Sequence, residues 1–447
     1  MTHKFFQRAL IVSCAFLIAG CGTTRWSGKQ NVLFYDHVGH APENVVRLYI
    51  DRQGSLYPQT GFSDSYAPFD DVDGDTLRAV VHHVAASDVE REFCGGLSAD
   101  PDSDLRILCT EKAENTDKSW RQRQEVLWDR VGARIHKMAS KGEEDRTLVF
   151  LIHGFNVANA RQPYEIAEEF LSAAAGNDEN LLFVEIHWDG WTSPLGLGVW
   201  GEAQTSGPLV GFEMRQLFSV IASAYEQEGL SPPKVRVLTH SSGAIVVGSL
   251  FGNPIAALPN LRNTNRNSDY EFFAANLSPP SGRYRIPDFP DIRIGMLAAA
   301  TPASTFVGRM PRHNVVSYPR DEGFPDAGIL SKNTTLLISI NEKDFALTKG
   351  GVGANSAQTG ATGLGTIPES YCEVERRLQG GRTPKVQAFG FNFNRAGGTW
   401  DEYEDIHDFP LYLAQANAGA DGFSFLKFLM GAVSNETARQ HAMVCPS

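Results

Sequence analysis

Ser241 lies in the run Val237-Leu238-Thr239-His240-Ser241-Ser242-Gly243-Ala244. The apolar stretch Val235-Arg236-Val237-Leu238 leads into it. The small-residue stretch Gly243-Ala244-Ile245-Val246-Val247-Gly248-Ser249-Leu250-Phe251 leads away. This pattern predicts a strand, a sharp turn and a helix, with a serine at the apex. A turn that tight strains its apical residue and leaves room only for small neighbours two places before and after it. Thr239 and Gly243 hold those places, with a threonine where glycine is more usual. The chemistry implied is attack by a serine hydroxyl. Such a hydroxyl needs a base to take its proton, an acid to orient that base, and donors for the oxyanion.

In one recurrent chain order the acid and then the histidine follow the serine, each just beyond a later strand. The run Ile338-Ser339-Ile340-Asn341-Glu342-Lys343-Asp344 supplies Asp344 as the acid. His407, in Glu404-Asp405-Ile406-His407-Asp408-Phe409, follows the last strand and supplies the base. Glu342, Asp321 and Asp326 compete for the acid. His313 and His441 compete for the base, but both break the order.

A second turn follows the apolar run ending Leu151-Ile152, at His153-Gly154-Phe155-Asn156. Its place predicts one oxyanion donor, the backbone N–H of Phe155. The other is the N–H of Ser242, at the start of the elbow helix, where the helix dipole favours negative charge. His153, Gly154, Asn156 and His240 are expected to line the substrate. His153 itself reads as structural rather than as a base, and Gly154 lets the backbone come close to the substrate.

The elements that must position these residues alternate. Apolar runs at 148–152, 181–186, 235–238, 292–297, 335–340 and 386–391 read as buried strands. Helical spacing appears from 117, through Trp120, Leu127, Val131, Ile135 and Met138. It recurs over 164–175 and 212–228. Near-continuous apolar strands separated by helices predict an α/β domain with a mostly parallel sheet covered on both faces. It spans residues 117–447, which is ample for one core. Residues 45–50 and 55–57 read as a hairpin opening an N-terminal elaboration over 45–116. Residues 253–291 and the glycine-rich 350–366 interrupt the alternation and are candidate lids or mobile loops.

Four segments together resemble a bacterial family of α/β-hydrolases of unknown function. They are His153-Gly154-Phe155-Asn156, Ile186-His187-Trp188-Asp189, His240-Ser241-Ser242-Gly243 and Asn341-Glu342-Lys343-Asp344-Phe345-Ala346-Leu347. That family typically carries His-Gly-Tyr/Phe-Asn after its third strand, Trp-Pro-Ser after its fourth and an Asp-Xaa-Ala-Leu-like segment at the acid. This chain has Trp188-Asp189-Gly190 in place of Trp-Pro-Ser. The resemblance covers about residues 120–447. It implies the α/β-hydrolase fold and hydrolysis of an acyl bond, and names no ligand.

The remaining composition bounds where such a protein works. Residues 1–20 read as a lipoprotein signal peptide, with a basic start, an apolar core over 9–19 and Leu17-Ile18-Ala19-Gly20 before Cys21. Cys21 would carry the lipid, and residues 21–44 would form a tether. The expected location is the cell envelope. Gly22 rather than aspartate after the cysteine favours the outer membrane facing the periplasm over the inner membrane. The formal charge of −12 becomes −14 once Lys4 and Arg8 leave with the signal, which argues against nucleic acid as a partner. Cys94, Cys109, Cys372 and Cys445 remain as disulfide candidates in an oxidising compartment. Proximity in sequence favours Cys94–Cys109 and Cys372–Cys445. Asp70-Asp71-Val72-Asp73-Gly74-Asp75 misplaces the glycine of a calcium loop and reads as a solvated turn. No metal site and no cofactor motif is evident.

These readings together predict a lipid-anchored serine hydrolase with a Ser241–His407–Asp344 triad. It would act on a small-molecule or lipid-like acyl substrate. The same triad on an amide or peptide bond is one alternative. A catalytically inactive scaffold serving as a binding lipoprotein is another. The oligomeric state is open.

Overall fold

The structure is a computed structural model. It describes residues 41–50, 54–58, 117–141, 146–154, 161–176, 180–188, 199–252, 254, 282–307, 333–348, 363–380, 386–393, 407–419 and 423–446. Cys21, Cys94, Cys109, Phe155, Asn156, His313, Asp321, Asp326 and the acidic run at 70–75 lie outside the described residues.

One sheet organises the described chain. Its strands are β1 (Val45–Ile50), β2 (Leu56–Pro58), β3 (Thr147–Ile152), β4 (Leu181–Trp188), β5 (Val235–His240), β6 (Ile292–Leu297), β7 (Thr334–Ile340) and β8 (Gln387–Asn392). They lie in the order β2-β1-β4-β3-β5-β6-β7-β8. Every neighbouring pair is parallel except β1 and β2, which form an antiparallel hairpin at one edge. The α/β architecture with a mostly parallel sheet is thus present. The hairpin at residues 45–58 belongs to this same sheet, since β1 pairs with β4.

Helices cover both faces. Among them are α1 (Asp117–Ala139), α2 (Arg161–Ala174), α3 (Val199–Glu213), α4 (Arg215–Gln227), α5 (Gly243–Phe251), α6 (Ser304–Val307), α7 (Phe345–Thr348), α8 (Gly363–Thr366) and α9 (Pro368–Gly380). They are followed by α10 (Phe409–Asn417), α11 (Phe425–Met430) and α12 (Asn435–His441). Successive strand residues point to opposite faces. Leu148, Phe150 and Ile152 of β3 therefore join a core with Leu127, Leu217, Phe218 and Val246 of α1, α4 and α5. Val149 and Leu151 join a second core with Leu171, Leu413 and Leu426 of α2, α10 and α11. Each such buried side chain contributes about 1.5–3 kcal/mol. This two-sided burial explains why the strands read as unbroken apolar runs.

Three expectations change. The helix expected over 212–228 is the second of a pair, α3 and α4, that meet at Met214. The end of the proposed mobile segment 350–366 is α8, whose four residues are buried. Leu364 N–H donates to Thr301 O at 3.3 Å and Gly365 N–H to Ala299 O at 3.1 Å. Those bonds anchor it against the turn after β6, so a lid could include only the residues before it. Likewise residues 282–291 of the expected loop 253–291 include a short 3₁₀ turn at Gly282–Tyr284, with Phe289 buried in the core.

The order of strands creates the place for a site. From β3 the chain moves outward to β4, then crosses back to β5 on the other side of β3. Loops leaving the carboxyl ends of β3 and β5 therefore diverge, and a crevice opens between them. His153-Gly154 follows β3 and Ser241 follows β5.

Candidate active site

Ser241 occupies the turn between β5 and α5 with φ of 53°. Left-handed backbone costs a residue with a Cβ roughly 1–2 kcal/mol, so surrounding bonds must enforce it. Ser241 N–H donates to Leu297 O at 2.9 Å, and Ser241 O accepts from Ala300 N–H and Ala244 N–H, each at 3.1 Å. The turn after β6 thus grips both sides of the apical peptide. Ala298 in that turn is itself left-handed, with φ of 48°. Its N–H is held by Ser339 Oγ of β7 at 2.8 Å.

The small neighbours matter as expected. A Cβ on Gly243 would lie 2.6 Å from His153 O and 2.7 Å from Ile152 O. The threonine at 239 is accommodated because its Oγ1 donates to Ile152 O at 3.0 Å. A Cβ on Gly154 would lie 2.9 Å from Ser241 Cβ, so the glycine lets the β3 turn approach the serine.

Ser241, His407 and Asp344 are brought together from three segments. Ser241 Oγ and His407 Nε2 are 2.8 Å apart. His407 Nδ1 and Asp344 Oδ2 are 2.8 Å apart. With Asp344 ionised, Nδ1 carries the proton and donates to it, leaving Nε2 to accept from the serine. Ser241 and Asp344 are buried, while the His407 side chain is 21% exposed. Burial alone would raise the Asp344 pKa. The nearby His407 ring, its hydrogen bond, the Tyr412 hydroxyl and the Leu347 N–H outweigh burial and hold the carboxyl below its ordinary range. Of the competing candidates among the described residues, Glu342 is exposed and His441 stacks on Phe423 at 4.6 Å.

The Ser242 N–H, at the N-cap of α5, meets no acceptor among the described residues and is available to an oxyanion. Its hydroxyl is buried without a partner.

Two residues expected to line the substrate have different roles. His153 Nδ1 donates to Gly154 O at 2.5 Å, and Nε2 accepts from Trp188 N–H at 3.2 Å. Both ring nitrogens are spent on backbone. Burial pushes the ring down to about 3, so it is a neutral brace rather than a substrate contact. Trp188 closes this brace by donating Nε1–H to His153 O at 2.8 Å. His240 is buried behind His407, with ring centroids 4.8 Å apart, and also meets Phe409 and Tyr412. Burial and the neighbouring His407 hold it well below the usual histidine range, and it hydrogen-bonds the His407 backbone. It therefore packs behind the His407 ring and holds its backbone.

Sequence reading missed Tyr412 and Asn341. Tyr412 OH donates to Asp344 Oδ2 at 2.7 Å and accepts from Asn341 Nδ2 at 3.0 Å. Tyr412 lies five residues after His407, and Asn341 three before Asp344. Those short offsets were the one signal available. The described residues also include a disulfide, Cys372–Cys445, which ties α9 to the segment after α12. Among the described residues, no group of three or more His, Cys, Asp or Glu is placed to hold a metal ion. Among them, no helix is long and apolar enough to cross a membrane.

No family model matches the chain, and no curated protein matches it. Among solved structures, a crystal structure of an uncharacterized protein from Pseudomonas aeruginosa is similar over 70% of this chain, with 11% sequence identity and a TM-score of 0.23. The match covers 56% of that protein, little more than half its length, and a likeness this distant carries no argument.

Proposed function

We propose that this protein is a serine hydrolase of the α/β-hydrolase type that cleaves an ester or related acyl bond. The observation that carries the reading is the unbroken contact from Ser241 Oγ, on a residue with φ of 53°, through His407 to Asp344, 2.8 Å at each step. A buried strained serine bonded to an exposed-edge histidine and a buried carboxylate is costly to maintain for packing alone.

The chemistry follows from the proton positions. As Ser241 Oγ attacks the acyl carbon, its proton passes to His407 Nε2, and the electron pair of the C=O bond moves to oxygen. The Ser242 N–H stabilises that charge from the α5 N-terminus. Phe155 N–H, the second donor expected from the sequence, lies outside the described residues. Collapse of the intermediate expels the alcohol or amine, which takes the proton from Nε2, and leaves an acyl-Ser241 ester. Water then gives a proton to Nε2 while its oxygen attacks the acyl carbon. Ser241 recovers that proton as the carboxylic acid departs. Asp344 stays ionised throughout and stabilises the imidazolium.

The segment ending at Cys21 supports an envelope lipoprotein. Labelling with a fluorophosphonate probe, followed by a panel of p-nitrophenyl esters and anilides, tests the reading. Covalent modification of Ser241 with ester turnover supports it. A folded protein that neither labels nor hydrolyses any member fails it.

A further inference from the structure

The Asp344 carboxylate has more donors than orientation of a histidine requires. Oδ1 accepts the Leu347 N–H at 3.0 Å. Oδ2 accepts both His407 Nδ1 and the Tyr412 hydroxyl, at 2.8 and 2.7 Å. His407 and the tyrosine therefore share one oxygen, each taking one of its lone pairs. Tyr412 has no freedom to leave it. Its ring is fully buried on α10 and stacks on Phe393, with centroids 5.9 Å apart. Its oxygen accepts from Asn341 Nδ2 at 3.0 Å, so its own proton must point elsewhere, and Asp344 is the acceptor. Asn341 is fixed in turn, because its Oδ1 accepts the Lys343 N–H at 3.0 Å.

We propose that Tyr412, aligned by Asn341, is a positioning residue that holds the Asp344 carboxylate and draws off part of its charge, so that the base stays neutral to lower pH than a bare aspartate would allow. The physical argument is one of sign. An O–H dipole aimed at Oδ2 stabilises the carboxylate, and its positive end lies near the imidazolium that forms on His407. Removing it leaves Oδ2 more negative and favours the protonated ring. The other titratable group facing His407 among the described residues is His240, buried and held neutral on β5. It does not change charge over the range concerned. Burial and the Asp344 charge push Tyr412 itself upward, so it remains a donor.

The inference rests on the triad reading of Ser241, His407 and Asp344, but it can be read without substrate. The experiment is a titration of the His407 ring by NMR with 15N-histidine labelling of the full chain. Wild type, Tyr412→Phe, Asn341→Ala and Phe393→Leu are compared. Tyr412→Phe should move the His407 midpoint up by about 0.5–1 pH unit. Asn341→Ala should move it the same way by less. Phe393→Leu, which loosens the same packing without touching the carboxylate, should leave it in place. An unmoved or lowered midpoint in a folded Tyr412→Phe chain overturns the proposal. If that variant does not fold, an unmoved midpoint in Asn341→Ala does so. A shift as large in Phe393→Leu also overturns it, since packing would then suffice. Failure of the ester panel with the expected shifts present would count against the hydrolase reading alone.

Discussion

The side chain of Thr239 donates to the carbonyl of Ile152 at 3.0 Å, so the strand that delivers the serine is bonded to the strand that delivers the His153-Gly154 turn. That hydroxyl adds to the ladder that already joins β3 and β5 up to Ile152 and Thr239. The same carbonyl would lie 2.7 Å from a Cβ on Gly243, and His153 O would lie 2.6 Å away. Both are backbone atoms that cannot step aside. Gly243→Ala should therefore lower the melting temperature by several degrees and sharply reduce fluorophosphonate labelling. Wild-type stability and labelling in that variant would show that the turn is looser than described here.

Strain at Ser241 is separable from its chemistry. Ser241→Ala and Ser241→Gly both remove the hydroxyl and should both abolish labelling. They differ in the Cβ that must sit at φ of 53°. The glycine variant should be more stable than the alanine variant by roughly 1 kcal/mol. Chemical denaturation of the pair measures this. Equal midpoints would mean the turn stores no strain, and retained labelling in either would remove Ser241 from the reaction.

The base and acid should fail as a unit. His407→Ala should lower the acylation rate by orders of magnitude, because the hydroxyl loses its proton acceptor. Asp344→Asn should cost as much or less. The double variant should be no worse than the histidine variant by more than a few-fold. Acidification should also slow the wild type. Asp344 is held below the ordinary carboxylate range and stays charged through it, so protonation of the acid is not the cause of that loss. Multiplicative losses in the double variant would argue that the two residues act independently.

A partly buried acidic pair away from the serine should govern how stability falls from acid to neutral pH. Glu185 on β4 accepts from Arg47 Nε at 2.7 Å and meets His187 Nε2 at 2.9 Å. Burial, then the neighbouring Glu185 charge and a hydrogen bond to it, raise Glu168 to about 8. Between the ordinary carboxylate value and that figure, the folded chain keeps a proton that the unfolded chain has released. Unfolding then releases a proton, so stability falls as pH rises from about 4.5 to about 8. Glu168→Gln keeps a donor toward Glu185 without the titration. Its melting temperature should decline less than that of wild type between pH about 5 and about 8.5. Parallel declines would refute this origin.

Much of this was legible because it is local or ordered along the chain. Ser241, Asp344 and His407 each follow a strand whose apolar run is unmistakable, and the sheet brings strand ends together. The helix α3 was not legible. It has no apolar face set against a polar one, and it carries Pro208, Gly207 and Gly211. Small residues there let it lie close against α5, which suppresses the periodicity that marks an amphipathic helix. His153 and His240 looked like substrate contacts because a ring beside a catalytic turn has two free nitrogens on paper. Folding committed those of His153 to backbone, which no spacing reveals. Tyr412 was hidden for the same reason, since its partner Asp344 is 68 positions away.

The bond between Cys372 and Cys445 encloses a stretch of chain that contains His407 and Tyr412 but neither Ser241 nor Asp344. A single proteolytic nick between Cys372 and His407 would leave the fragment bearing His407 covalently joined to the fragment bearing Ser241. The assembled pocket could then outlast one cut by a neighbouring peptidase, a form of resilience that a reduced chain would lose.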